Sequence, residues 1–194
     1  MKNFAVNFDA WSQGQIKSKL WLCEALEKYY DGPIHPTIWI LGGWYGLLAF
    51  LLFSRDRLQP SQICQFDLDE TANATALMVN NNWTIQEPKQ FKVFKQDASE
   101  LNYQNANFGA APDILINTAC EHFENSWLHL VPKNTFVVAQ STNMEHHEHI
   151  NRSQNLKEIQ SQLKSQIETR HAAQLDFNYT EIQFSRFMVM GRKT

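Results

Sequence analysis

Short apolar runs alternate with longer amphipathic ones along this chain. Thr37–Leu41 (TIWIL), Gln62–Phe66 (QICQF), residues 91–95 (FKVFK), Ile114–Asn117 (ILIN) and residues 135–140 (TFVVAQ) are rich in β-branched and aromatic side chains. They are too short for stable helices and read as buried strands. Residues 9–30 carry Ile16, Leu20, Leu22, Cys23 and Leu26 near one stripe, with Lys17, Lys19, Glu24, Glu27 and Lys28 elsewhere. That is the pattern of an amphipathic helix, stopped by Asp31-Gly32-Pro33. Helices are also predicted from Leu47 to near Arg57 and over 70–80, 124–130 and 156–171, and a closing antiparallel pair over 174–180 and 183–190. Strands alternating with helices imply βαβ units and a mostly parallel sheet, an α/β domain of doubly wound type. No internal repeat or linker interrupts the pattern, so residues 1–194 are expected to form a single domain.

One stretch has a second reading. From Gly32 to Ser54 there is no Asp, Glu, Lys or Arg, and Arg55 and Arg57 follow it like a membrane anchor. A membrane helix needs about 20 apolar residues. This run is shorter at its apolar centre, contains Gly42-Gly43, and starts among Pro33 and Pro36. A strand, a glycine turn and a helix account for it better, and no membrane partner is expected.

Charge and cysteine content narrow the class. The formal net charge of −3 provides no basic field for nucleic acid. Cys23, Cys64 and Cys120 are few, odd in number and far apart, which argues for a reducing compartment rather than a disulfide framework. The opening MKNFAVNFDAWSQGQ lacks a signal-peptide core. A cytoplasmic location is expected.

The candidate chemistry lies at the strand ends. In doubly wound sheets, ligands bind beyond the C-terminal ends of the strands. The first strand runs into Gly42-Gly43-Trp44-Tyr45-Gly46, where glycine lets backbone approach a ligand. Asp67 follows the second strand at a spacing that suits ribose hydroxyls. Asp97 follows the third, with Ala98 offering a backbone amide toward a base. Each also has a structural reading: the glycines as a tight turn, the aspartates as helix caps. The spacing Gly42-x-x-x-Gly46 is not the G-x-G-x-x-G of NAD sites.

Over residues 37–141 these features resemble the class I S-adenosylmethionine-dependent methyltransferases, which have a Rossmann-like fold. TIWILGGWYG looks like that family's first motif, ICQFDLDE its second, KQDASEL its third and DILINTACEHF its fourth. The resemblance implies a seven-stranded sheet with an antiparallel C-terminal strand pair and S-adenosylmethionine as cofactor. It also implies a cofactor site made from Gly42, Gly43, Trp44, Tyr45, Gly46, Asp67, Leu68, Asp97, Ala98 and Asn117. SQGQIKSKLWL, NTACEHF and EHIN are further similar to a little-characterised bacterial and phage group of such proteins. The chain departs from the family in its bulky Trp44 and Tyr45, and no acidic residue precedes the glycines. The Asn-Thr-Ala after the fourth strand is not the Asn/Asp-Pro-Pro-aromatic signature of nucleobase-methylating enzymes.

Three clusters are candidates for the acceptor side. Asn117, Glu121 and His122 follow the fourth strand, and Glu121 or His122 suits proton removal from an acceptor. Cys120 beside them reads as a structural thiol. Ser141, Asn143, His149 and Asn151 follow the fifth strand, within Ser141–Asn151, as a polar wall. Glu145, His146, His147, Glu148 and His149 invite a metal reading, but neighbouring side chains diverge, and on a helix only Glu145 and His149 share a face. No metal site is expected there. Gln15 and Lys19 on the first helix, a lid over the pocket, form a possible carboxylate clamp, with a solvated helix face as the alternative.

Methyl transfer from a sulfonium needs placement and, for some acceptors, removal of one proton. The chain is expected to methylate a small polar metabolite or peptide-like acceptor. Two alternatives use the same cofactor: aminoalkyl transfer or cyclisation, as in nicotianamine-synthase-like enzymes, and a non-catalytic binding protein.

Overall fold

A computed structural model describes residues 7–85, 90–180 and 182–194. Seven strands form one sheet: β1 (Thr37–Leu41), β2 (Gln62–Phe66), β3 (Phe91–Phe94), β4 (Ile114–Asn117), β5 (Phe136–Thr142), β6 (Ile167–Asn178) and β7 (Gln183–Lys193). Their order is β3-β2-β1-β4-β5-β7-β6. The first five are parallel; β7 pairs antiparallel with both β5 and β6. From β1 the chain adds β2 and β3 on one side and then β4 and β5 on the other, so the order switches between β1 and β4, which opens a crevice at the strand ends.

The apolar strands are explained by burial on both faces. Ile38, Ile40, Ile63, Ile114, Ile116, Val138 and Met188 point to one side. There they pack under α1 (Gln13–Tyr29), α2 (Leu47–Phe53) and α3 (Glu70–Val79) through Leu22, Leu26, Leu48, Leu52 and Ala76. The alternate residues Trp39, Leu41, Phe66, Leu115, Val137 and Val189 point to the other. That side is covered by Tyr103, Phe108, Trp127 and Leu128 from irregular segments and by Ile159 and Leu163 of a helix near the C-terminus.

The apolar stretch after Gly32 is β1, the glycine turn and α2. Among the described residues, no helix is long and apolar enough to cross a membrane. Arg55 is not an anchor: its Nε donates to Glu27 Oε1 at 2.9 Å and a second bond joins Nη2 to Glu27 Oε2, tying the end of α2 to α1. The predicted first helix begins as a 3₁₀ turn, Phe8–Trp11, before Ser12 caps α1.

Three boundaries differ from the sequence reading. The helix predicted to run to near Arg57 ends at Phe53, where the Ser54 N–H makes the last helical bond, to the Phe50 carbonyl. The helix predicted over 156–171 ends early: α5 is Leu156–Leu163, and residues 167–171 already belong to β6. Ile167 pairs with Lys193 and His171 with Met190, so hydrogen bonding to a distant strand overrides local helix propensity. The helix predicted over 124–130 is one 3₁₀ turn, Asn125–Leu128. A bulge lies in β6 between Thr169 and His171. Opposite it, a Cβ on Gly191 would fall 2.0 Å from the Glu168 carbonyl oxygen, so only glycine lets the two backbones meet there.

Candidate functional site

The turn after β1 is built on left-handed backbone. Gly42, Trp44 and Gly46 have φ of 59°, 50° and 76°. That region suits glycine and strains tryptophan. Trp44 is held there from both sides of its peptide: its N–H donates to Asp67 Oδ2 at 2.9 Å, and its C=O accepts from Gln65 Nε2 at 2.8 Å. Gln65 is buried against Gly43, where a Cβ would lie 2.3 Å from its side chain. The end of β2 therefore holds the turn after β1 in place.

Beside this turn is a cleft of about 440 Å³, within the range of small-ligand sites. Gly42, Asp67, Leu68, Asp97, Ala98 and His122 all line it. Phe66, Gln96, Phe123 and Ile150 complete much of the wall. The C-terminal ends of β1, β2 and β3 thus converge with the loops after β4 and β5. Asp67 Oδ1 accepts from the Asp69 N–H at 3.0 Å. Burial raises its carboxyl above its ordinary value, opposed by the backbone N–H groups of Asp69 and Trp44. Each of its oxygens retains a lone pair for another donor. Asp97 Oδ1 accepts from the N–H and Oγ of Ser99 at 2.8 and 2.7 Å, so it caps a turn while facing the cleft.

Other candidate residues lie away from that wall. Gly43, Trp44, Tyr45 and Gly46 form the rest of the turn and do not line that cleft. Tyr45 is buried and stacks on Trp11 and Trp44, with ring centroids 5.5 and 5.1 Å apart. Asn117 is fully buried and its Oδ1 accepts from the Ala119 N–H at 2.9 Å. Ser141 is buried and accepts from the Ser153 N–H at 3.3 Å. Asn143 Oδ1 accepts from the Ser185 N–H at 2.7 Å, fastening the end of β5 to β7.

The loops after β4 and β5 are stapled together. The Glu121 carbonyl accepts from the N–H groups of Ile150 and Asn151 at 2.9 and 3.0 Å, and Asn151 Nδ2 donates to the Phe123 carbonyl at 3.0 Å. This brings His149 against His122, with ring centroids 4.8 Å apart. The Glu121 side chain points inward instead, 2% exposed, and pairs with Arg186 of β7 at 3.0 Å. Arg186 was not singled out from sequence; the only hint is a cation inside the apolar run FSRFMVM. Cys120 is buried, and desolvation followed by the charge of Glu121 raises its thiol well above the ordinary value. It is a structural thiol rather than a nucleophile.

A second cleft of about 330 Å³ lies nearby, lined by Ser12, Gln15, Met144, Tyr179, Phe184 and Arg186. Gln15 accepts from Lys19 Nζ. Burial, reinforced by Arg186, lowers the Lys19 ammonium to about 7 from 10.5. Below pH 7 the lysine is protonated folded and unfolded, and the cost of its buried charge is fully present. Between pH 7 and 10.5 only the unfolded chain keeps the proton, so stability rises with pH in that window. Lys19→Met is expected to flatten this rise. Urea denaturation of both proteins between pH 7 and 10 checks it, and equal slopes would refute it.

The strand order, the antiparallel last pair and the N-terminal helix are those of the class I methyltransferase Rossmann-like fold. The N-methyltransferase NodS from Bradyrhizobium japonicum, in complex with S-adenosylhomocysteine, is similar at TM-score 0.68 and 10% identity, covering 98% of this chain and 95% of that one. Magnesium protoporphyrin IX methyltransferase (ChlM) from Synechocystis with bound SAM matches at 0.64 and 11% identity, over 92% of this chain and 80% of the other. A SAM-dependent methyltransferase from Methanosarcina mazei matches at 0.63 and 10%, over 87% and 96%. No protein-family model matches the chain, and no curated protein sequence does.

Proposed function

We propose that this chain binds S-adenosylmethionine in the 440 Å³ cleft and methylates a small polar metabolite or peptide-like acceptor. The observation that carries this reading is the convergence of Gly42, Asp67, Leu68, Asp97 and Ala98 on one cleft whose far wall holds His122. Solved structures of the same fold hold SAM or S-adenosylhomocysteine.

The residues present fit such a cofactor. The Asp67 carboxylate is an acceptor for two ribose hydroxyls. Asp97 and the Ala98 amide suit an adenine edge, and Phe66, Leu68 and Phe123 supply apolar walls. Gly42 lets the amino acid portion lie close to backbone, with Gly43, Trp44, Tyr45, Gly46 and the buried Asn117 shaping that surface from behind. The cofactor, when bound, supplies an electrophilic methyl group. The chain's own part is to place the acceptor in line and to take its proton, for which His122 is the reachable base and Glu121 its buried neighbour. The second cleft, with Gln15, Lys19 and Arg186 around it, suits a polar acceptor, and Ser141, Asn143, His149 and Asn151 hold the loops that border it. Residues 1–194 act as one unit in this reading, and the net charge of −3 favours a small acceptor over nucleic acid.

Calorimetric titration with S-adenosylmethionine, S-adenosylhomocysteine and NAD tests the proposal, with nucleotide products identified by mass spectrometry. Micromolar binding of the first two alone is expected, with S-adenosylhomocysteine as product. Methylthioadenosine would instead indicate aminoalkyl transfer or cyclisation. Binding without turnover across acceptor panels would indicate a binding protein, and no binding would overturn the reading.

A further inference from the structure

Glu121, His122 and His149 are brought together from two loops. One carboxylate oxygen of Glu121 and one ring nitrogen from each histidine all lie within 4.8 Å of one another. The carboxylate is divided in function. Arg186 donates to Oε1, whereas Oε2 is buried and has no hydrogen-bond partner. A buried carboxylate oxygen in that condition costs stability unless something satisfies it. His149 is also oriented. Its Nδ1 lies 2.8 Å from the Met144 carbonyl, which can only accept. Nδ1 therefore carries the proton, and Nε2 presents a lone pair. Metal-bound histidines are held by this same kind of outer contact. The backbone bonds from Ile150 and Asn151 to Glu121 fix the relative position of the two loops.

We propose that these three residues form a binding site for a divalent transition-metal ion of the zinc type. Two imidazoles and one carboxylate suit zinc and its first-row neighbours, whereas magnesium and calcium favour oxygen alone. Three protein ligands leave one position open, as in sites where a metal acts on a bound molecule. Metal–ligand bonds of about 2.0–2.2 Å require the donors to draw somewhat closer than 4.8 Å. The exposed His122 ring has room to make that movement. His122 lines the large cleft and His149 an adjoining open one, so the ion has a path from solvent. Glu145 is not part of the site: it pairs with Arg152 at 2.9 Å. The ion's binding is independent of the cofactor. Its use rests on the methyl-transfer reading: with the ion present, the ion in place of an uncoordinated His122 binds an acceptor oxygen or nitrogen through the open position and weakens its hold on a proton.

The test is titration of the metal-stripped protein with zinc by calorimetry and with cobalt by visible absorption. One equivalent per chain is expected. His122→Ala and His149→Ala should each weaken binding at least tenfold, with thermal melts reporting that both variants fold. A His146→Ala/His147→Ala double variant should bind as the unaltered protein does. Absence of one-to-one binding would overturn the site, as would binding that survives His122→Ala and His149→Ala but is lost in the double variant. S-adenosylhomocysteine titrated without metal reports separately on the cofactor reading, so the two can fail independently.

Discussion

Arg186→Met is expected to lower the free energy of unfolding by about 3–5 kcal/mol, the range seen when one partner of a buried ion pair is removed. Its side chain is 12% exposed and that of Glu121 is 3%, so water cannot compensate for the loss. The methionine fills much of the vacated volume, which isolates the electrostatic effect from a cavity. The Glu121 carboxylate would then be buried with neither oxygen bonded to the guanidinium, and the Thr118 carbonyl would lose its 3.4 Å contact with Arg186 as well. Equilibrium urea denaturation checks the prediction. Pairing the change with Glu121→Gln should recover part of the loss, because a neutral amide costs less to bury than a lone charge. Additive effects of the two substitutions would show that the pair is not coupled. The pair matters beyond stability because it joins β7 to the loop that carries His122.

Asp67→Ala is expected to weaken S-adenosylhomocysteine binding by more than tenfold. A hydrogen bond to a charged group is worth about 1.5–3 kcal/mol, and this carboxylate also holds the turn that faces the same cleft. Removing it frees the Trp44 N–H and leaves a strained left-handed tryptophan without that restraint. Asp67→Asn separates the two roles. Its amide oxygen can still accept from Trp44, so the turn should persist while the charge for ribose hydroxyls is lost. Calorimetry on both variants, with thermal melts for the turn, distinguishes them. Unchanged affinity in Asp67→Ala would remove this residue from the cofactor site.

Much of the architecture was legible along the chain because burial on both faces of a parallel strand leaves a local mark. The IWIL of β1 and the ILI of β4 admit no polar face, and a run so short and so apolar has few other destinations. Gly42, Asp67 and Asp97 were legible for a related reason: the first two follow a strand directly and Asp97 lies three residues past one, and strand ends in this topology share one edge. The antiparallel hairpin was visible as well, but its extent was not. Residues 167–171 look helical in isolation, and their strand state depends on hydrogen bonds to residues 190–193.

The acceptor side depended on contacts that leave no local mark. Glu121 and His122 are adjacent, yet one turns inward to Arg186, 65 residues away, and the other faces the cleft. His149 reads as one of three similar histidines in EHHEH until the backbone bonds to Glu121 set it beside His122. Trp44 and Tyr45 look like cofactor contacts by position; in the fold Tyr45 is stacked on Trp11 and neither residue lines the 440 Å³ cleft. Periodicity and strand-end spacing are properties of a short segment and can be read within it. Which side chains meet across two loops is set by packing between distant elements, so the chemistry at that meeting point emerged with the fold.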